Sequence, residues 1–368
     1  MPRRTGAPAI TERALNRATL ARQSLLTRRK TDAAAMLRHL IGMQGQVHNA
    51  PYVGLWSRIE GFRAADLEAL LADRRAVRAT LMRVTLHVAM AEDFLSIRPL
   101  VQAIAARGFR ANHLKPLGGA DPDEVRAAGR LLLDRDALSP AALASHLSAR
   151  WPGPKPIDLT MPVRFLEPLV HVPPAGLFGA TGAPRLTTAG RWLGREPEEP
   201  IDLESLMLRY LAAFGPATGA DFNAWSGLSG GATILERLRP RLVAFSGDDG
   251  RELFDLPKAP RPEEDVDAPV RLLPDYDNVI LGYADRRRML SPGAFAGLWQ
   301  ANGLRPAFTV DGFVRGSWKL KIGKAVAAVQ FTRFGALRRK DEAALAREAR
   351  ALLATLLPDR QAEVGFAD

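Results

Sequence analysis

The chain has no cysteine among its 368 residues, which removes disulfides, zinc–thiolate centres and thiol nucleophiles from consideration. No run reaches the roughly 18 apolar residues of a membrane span. The N-terminus carries Arg3 and Arg4, but Glu12, Asn16 and Arg17 interrupt any apolar segment behind them. A signal peptide is therefore not expected, and the reading is a cytoplasmic protein without a membrane partner. Six histidines are scattered without metal-ligand spacing, so no metal and no cofactor are expected. Hydrolase triad, P-loop and dinucleotide fingerprint are missing too. The glycine-rich run Gly227-Leu228-Ser229-Gly230-Gly231 lacks the strand and lysine that phosphate binding needs. Acidic residues are also in short supply, 40 against 51 Lys and Arg, giving a net charge of +11 and an isoelectric point near 10.4. Such an excess favours a polyanionic partner through counterion release and steering, nucleic acid first among them.

What the chain does contain is an ordinary globular composition, 47% apolar and 25% charged, with length for two to four units. Thr11 is placed to cap a helix through Leu15, Leu20 and Leu25. Asp32 caps a second carrying Ala35, Leu37, Leu40 and Ile41. Pro51 opens a third, and Asp66–Leu71 reads as a fourth. The β-branched stretch Val77–Val88 reads as a strand on which Arg83, Thr85 and His87 share one face. Helix returns from Asp93 to Phe109, and breakers at Pro116–Pro122 mark a linker. Residues 123–150 read as two helices, the second opened by Ser139 and Pro140, with a loop at Trp151–Pro156.

The clearest unit lies at 201–260. It has a helix capped by Asp202, a short helix Ala217–Trp225, a third with Ile234, Leu235 and Leu238, and a hairpin turning at Ser246–Gly250. Three helices and a hairpin spell a winged helix. Beyond a Pro- and acid-rich linker at 261–269, strands are expected at 270–273, 306–310, 313–322 and 325–331, then the amphipathic helix Asp341–Leu357. The expected fold class is α+β and mainly helical, with tandem winged helix-turn-helix units, a C-terminal β-rich region and a terminal helix. Its divisions are 1–115, a first winged-helix unit carrying Gln44 and Gln46; 123–200, a second helix-turn-helix unit; 201–260; and 270–368.

One motif closes the second helical stretch: Gln44-Gly45-Gln46, after Leu40-Ile41-Gly42-Met43. Taken alone it is a polar helix end. As chemistry, a glutamine amide neither gives nor takes a proton at neutral pH; it offers an acceptor oxygen and two N–H donors. Two such groups suit a reaction whose leaving group is already activated.

Several landmarks stand in a definite order: Ala14-Leu15-Asn16-Arg17, Met43-Gln44-Gly45-Gln46, Leu81-Met82-Arg83-Val84-Thr85-Leu86-His87, Leu272-Leu273-Pro274-Asp275-Tyr276-Asp277, Leu281-Gly282-Tyr283 and Gly316-Ser317-Trp318. In these the chain resembles, over nearly its whole length, the bacterial winged-helix DNA glycosylases that excise alkylated purines and unhook interstrand crosslinks. The resemblance implies tandem winged helices around a basic concave surface, with Gln44 and Gln46 as the catalytic pair of a Gln-x-Gln motif. It implies a monofunctional glycosylase hydrolysing the N-glycosidic bond of N7-alkylated purines, with crosslink unhooking as a further activity. The Gln-x-Gln branch resembles self-resistance enzymes of antibiotic producers.

The middle position of the motif is usually apolar in that family. Gly45 removes a packing anchor and frees the backbone. The expected partner is double-stranded DNA with alkylated or crosslinked purines, met by a monomer. The basic groups near the landmarks are the candidate DNA contacts: Arg83 and His87, Arg286 and Arg287, and Lys319 and Lys321, which alternate with Trp318 and Leu320. Asp275 and Asp277 read equally as a Pro-Asp turn and as site acids. The alternative is a non-enzymatic winged-helix transcriptional regulator, for which sequence-specific binding and an indifferent glutamine pair are expected. A protein-interaction scaffold would show no salt-dependent DNA affinity.

Overall fold

The computed structural model describes residues 6–291, 293–300 and 303–367; Arg3 and Arg4 lie outside them. Thr11 accepts a hydrogen bond from the Ala14 N–H and starts α1 (Glu12–Arg22); Asp32 does the same for Ala35 and starts α2 (Ala33–Leu40). α2 stops at Ile41, whose φ is 58, followed by Gly42 at φ 87. A Cβ on Gly42 would lie 3.0 Å from the Ala89 Cβ and the Val88 oxygen, so glycine is what lets the chain reverse there. The reversal puts Gln44 on a short strand, β1 (Met43–Gln44), and not on a helix end as its spacing suggested.

After α3 (Ala50–Trp56) and α4 (Ala64–Ala72) come β2 (Ala76–Thr80) and β3 (Leu86–Met90), then α5 (Ala91–Asn112). The single strand expected over 77–88 is a hairpin. A tight helical turn at Met82–Val84 breaks it, with Arg83 and Val84 at φ 55 and 58. Arg83, Thr85 and His87 therefore do not share a strand face. The helices Pro122–Arg135 and Pro140–Arg150 follow, the second capped by Ser139. β4 (Leu169–Val172) and β5 (Arg185–Thr188) complete an antiparallel five-stranded sheet in the order β1-β3-β2-β4-β5. Strands from 43–90 and from 169–188 thus share one sheet.

Residues 203–255 hold α6 (Leu203–Phe214), α7 (Gly219–Ser226), α8 (Gly231–Leu238) and the hairpin β6 (Val243–Gly247) and β7 (Glu252–Asp255), three helices and a hairpin in the expected order. Tyr210, Phe214, Phe222 and Trp225 pack ring against ring in their core. That core continues into the underside of β2 and β3 through Val77, Leu81, Met82 and Ala89. The C-terminal sheet runs β8 (Arg271–Leu273), β9 (Ala307–Val310), β10 (Phe313–Ile322) and β11 (Val326–Arg333). Its outer strand β12 (Gln361–Ala367) pairs parallel with β11. α9 (Arg339–Leu356) covers this sheet, and its Leu345 and Leu352 share a core with Tyr52 and Leu55 of α3 and with Phe308 and Phe331. The fold is α+β. Among the described residues, no helix is long and apolar enough to cross a membrane.

The N-terminal helices and the C-terminal sheet are also joined by a buried ion pair. Arg58 donates to both carboxylate oxygens of Asp277 at 3.0 and 2.8 Å, both side chains being fully buried. Asp277 also caps the short helix Asn278–Leu281 by accepting from the Val279 N–H at 2.9 Å. Of the two acids in Pro274-Asp275-Tyr276-Asp277, this one is a structural cross-brace.

Candidate functional site

The two glutamines open onto one cleft of about 420 Å³, whose walls include Thr80, Thr85, Arg164, His171 and Tyr276. β1 holds Gln44 opposite His87 of β3. Gly45 is pinned at both ends: its N–H donates to the Leu86 oxygen at 2.7 Å, and its oxygen accepts from the Arg78 Nε at 2.9 Å. A Cβ there would sit 3.2 Å from the Val88 Cγ2. The loose backbone expected of a glycine in the motif is not what forms; close approach to β3 is what glycine permits.

The two amides differ in their surroundings. Gln44 is 6% exposed, and its Oε1 accepts from the Arg83 Nη2 at 3.0 Å. The other arm of Arg83 donates to the Trp225 carbonyl at the end of α7. Gly227, at φ 81, brings its backbone so close to Arg83 that a Cβ would lie 3.1 Å from the Arg83 Cα. Burial, with Arg286 nearby, pushes Arg83 down to about 10, which leaves it a cation at neutral pH. Gln46 is exposed, and its side chain makes no hydrogen bond among the described residues. One amide is therefore clamped, and the other is free to meet solvent.

Sequence reasoning missed His171. Register pairs it with Arg78 across β2 and β4, and the Arg78 Nη1 lies 2.7 Å from its Nδ1. A guanidinium only donates, so Nδ1 accepts and the ring hydrogen resides on Nε2. Burial, followed by the charges of Arg78 and Arg164, pushes the imidazole down to about 3. The cleft wall thus carries a neutral histidine whose tautomer is set. No local pattern around His171 could have revealed this, because the pairing arises only when the sheet forms.

The six candidate DNA contacts fare differently. Arg83 reaches the site, as the clamp on Gln44. His87 does not face a ligand: it is 2% exposed and its Nδ1 donates to the Thr85 oxygen at 2.9 Å. Burial, then Arg83, pushes it down to about 3, so it offers no charge to a phosphate. Arg287 is exposed, but Glu12, Asp249 and Asp285 surround it with carboxylates and neutralise its charge locally. Arg286 is half-buried, donates to the Ile280 oxygen at 3.0 Å and stacks on Phe295 at 4.6 Å. Lys319 and Lys321 are exposed on one face of β10, while Leu320 between them is half-buried and Trp318 just before them is buried.

The buried His87 makes acid stability a measurable property. Between pH 6.5 and about 3 the unfolded chain binds a proton at this position that the folded one refuses. Stability conferred by the neutral ring is thus complete above pH 6.5 and is lost on acidification, at a limiting slope of about 1.4 kcal/mol per pH unit for one proton. Urea midpoints of the wild type should fall from pH 7 to pH 5 more steeply than those of His87→Asn. Parallel curves would refute the assignment.

Comparison with known proteins bears on the same residues. The family model described as DNA glycosylase AlkZ-like matches residues 37–355, from within α2, ahead of the glutamines, to the end of α9. The interstrand DNA cross-link repair glycosylase of Streptomyces sahachiroi is 25% identical over 333 residues, covering 81% of this chain and 85% of that protein. The solved structure of the Streptomyces sahachiroi DNA glycosylase AlkZ superposes with a TM-score of 0.75 at 21% identity, covering 98% of this chain and 100% of that one. At that identity the likeness speaks for the fold.

Proposed function

The chain belongs to the AlkZ-like DNA glycosylase family, and on that premise we propose that it hydrolyses the N-glycosidic bond of N7-alkylated purines in duplex DNA and unhooks interstrand crosslinks, with Gln44 and Gln46 as the catalytic pair. The observation that carries this reading is the convergence of both amides on one cleft, Gln44 held by Arg83 and Gln46 unbound.

An N7-alkylated purine carries a positive charge, so its bond to C1′ is weakened before the enzyme acts. The base departs with the electron pair of that bond and becomes neutral. A water oxygen bonds to C1′, and the surplus proton passes to solvent, because an amide cannot hold it. Gln46 orients the water through its Oε1. The Gln44 Oε1 gives one lone pair to Arg83, and its second lone pair would offer partial negative charge to the water or the cationic sugar. The gain comes from positioning and preorganised electrostatics. Three helical units of winged-helix type would embrace the duplex, and a monomer suffices for that arrangement. Arg164 at the cleft wall and the Lys319–Lys321 face would meet phosphates.

Single-turnover base release from duplexes containing N7-methylguanine and from a crosslinked duplex tests the proposal. Release from neither, with duplex binding intact, would refute it. Counterion release predicts that Lys319→Ala combined with Lys321→Ala lowers the slope of log affinity against log salt by about 0.9 per lost phosphate contact. An unchanged slope removes that face from the DNA interface.

A further inference from the structure

A second cavity of about 400 Å³ lies against the glutamine cleft. Tyr276, held at φ 56, lines both and forms the partition between them. Val47, the residue after Gln46, belongs to the second cavity with Leu304, Leu320 and Ile322. Val47 is 39% and Ile322 45% exposed. Isolated exposed aliphatics are unremarkable on a protein surface, but these two face the same concavity beside a site that handles a modified base. Of its lining, the proposed mechanism uses Lys319 alone.

Its wall also contains one acid, Asp275, that no cation contacts, although Arg305 and Lys319 line the same cavity. Asp275 has no hydrogen bond or ion pair to any other described residue, unlike Asp277 two positions on. Burial pushes its carboxyl up to about 6. Such a group seeks a hydrogen-bond donor or a cation, and the aliphatic part of the walls, Val47, Val53, Leu304, Leu320 and Ile322, favours a ligand that is otherwise hydrophobic.

We propose that this second cavity is a subsite for the substituent carried on N7 of the target purine: an apolar group of several carbons bearing an amine or hydroxyl that meets Asp275. The inference rests on the glycosylase reading above. N7 lies on the edge of the purine away from the sugar bond, so a substituent there leaves the reacting C1′ beside the glutamines and projects into neighbouring space. Passing Tyr276, it enters a cavity large enough for a ring and a short chain. A methyl group gains nothing from that cavity; a larger substituent does. The subsite therefore selects among lesions that the glutamines treat alike.

The test uses the full chain and two duplexes, one with N7-methylguanine and one with N7-(4-aminomethylbenzyl)guanine. Ile322→Ser removes part of the apolar wall, and Asp275→Asn removes the acid at nearly constant shape. Each should reduce kcat/KM for the aminomethylbenzyl adduct by about 10-fold relative to the methyl adduct, the scale of a lost contact in an apolar pocket. Release of N7-methylguanine should stay at the wild-type rate. An unchanged ratio between the two substrates, or an equal loss on both, overturns the subsite. If the wild type releases neither base, the glycosylase reading is what fails, and binding alone then judges the cavity. The wild type should hold the aminomethylbenzyl duplex more tightly than the methyl duplex, and both variants should lose that preference. Equal affinities of the wild type would overturn it.

Discussion

Replacing Gln46 with alanine should lower the single-turnover rate of base release by about 100-fold, the scale of a misplaced reacting group, while duplex affinity and folding stability stay at wild-type values. The structure separates these readouts because Gln46 is exposed and makes no side-chain hydrogen bond among the described residues. Nothing in the fold depends on it, so the loss is one of water placement. Gln46→Glu keeps an acceptor oxygen and should retain more activity than the alanine variant. Gln44→Ala is a less clean experiment, since it also deprives the Arg83 Nη2 of its acceptor. A Gln46→Ala protein that releases N7-methylguanine at the wild-type rate would return this residue to the role of a polar loop.

Arg58→Ala should cost about 3–5 kcal/mol of folding stability, the range for breaking one side of a fully buried ion pair. Arg58 contacts the Gly54 oxygen, the Gln23 Oε1 and both oxygens of Asp277, and its removal leaves a carboxylate stranded between α3 and the 274–281 segment. Denaturant titration measures the loss. The double variant Arg58→Met with Asp277→Leu should recover much of it, since no charge is then left without a partner. A loss below about 1 kcal/mol, the level of an exposed pair, would contradict this placement.

Much of the scaffold was readable from local chemistry. Thr11, Asp32, Ser139 and Asp202 each accept from the backbone N–H three residues on, a pattern that needs no tertiary information. The glutamine motif stood out in the sequence too, but of the six basic candidates only the Arg83 side chain hydrogen-bonds to it. What the chain hid was set by packing. The Met82–Val84 turn places Arg and Val in the left-handed region, where no glycine advertises it. β12 begins with the exposed Gln361, Ala362 and Glu363, so its outward polarity masks a strand. His171 and Arg78 lie far apart in sequence and meet only through sheet register. The three consecutive arginines Arg286–Arg288 divide three ways. Arg286 is half-buried on Phe295, and Arg287 lies among carboxylates. Arg288 is buried, stacked on Tyr283 at 3.9 Å and donating to the Pro216 oxygen at 2.9 Å.

The Arg83 clamp makes Gln44 answerable to a helix more than a hundred residues downstream. One guanidinium joins the Gln44 carbonyl to the last turn of α7, so the orientation of the amide depends on the seating of α7. Linkage of this kind runs both ways. A ligand that draws the 203–255 helices closer to the hairpin would steady the glutamine, and a substrate that engages the glutamine would steady those helices in return. Hydrogen exchange at α7 should therefore slow when a modified duplex occupies the cleft, even if no nucleotide touches α7 itself.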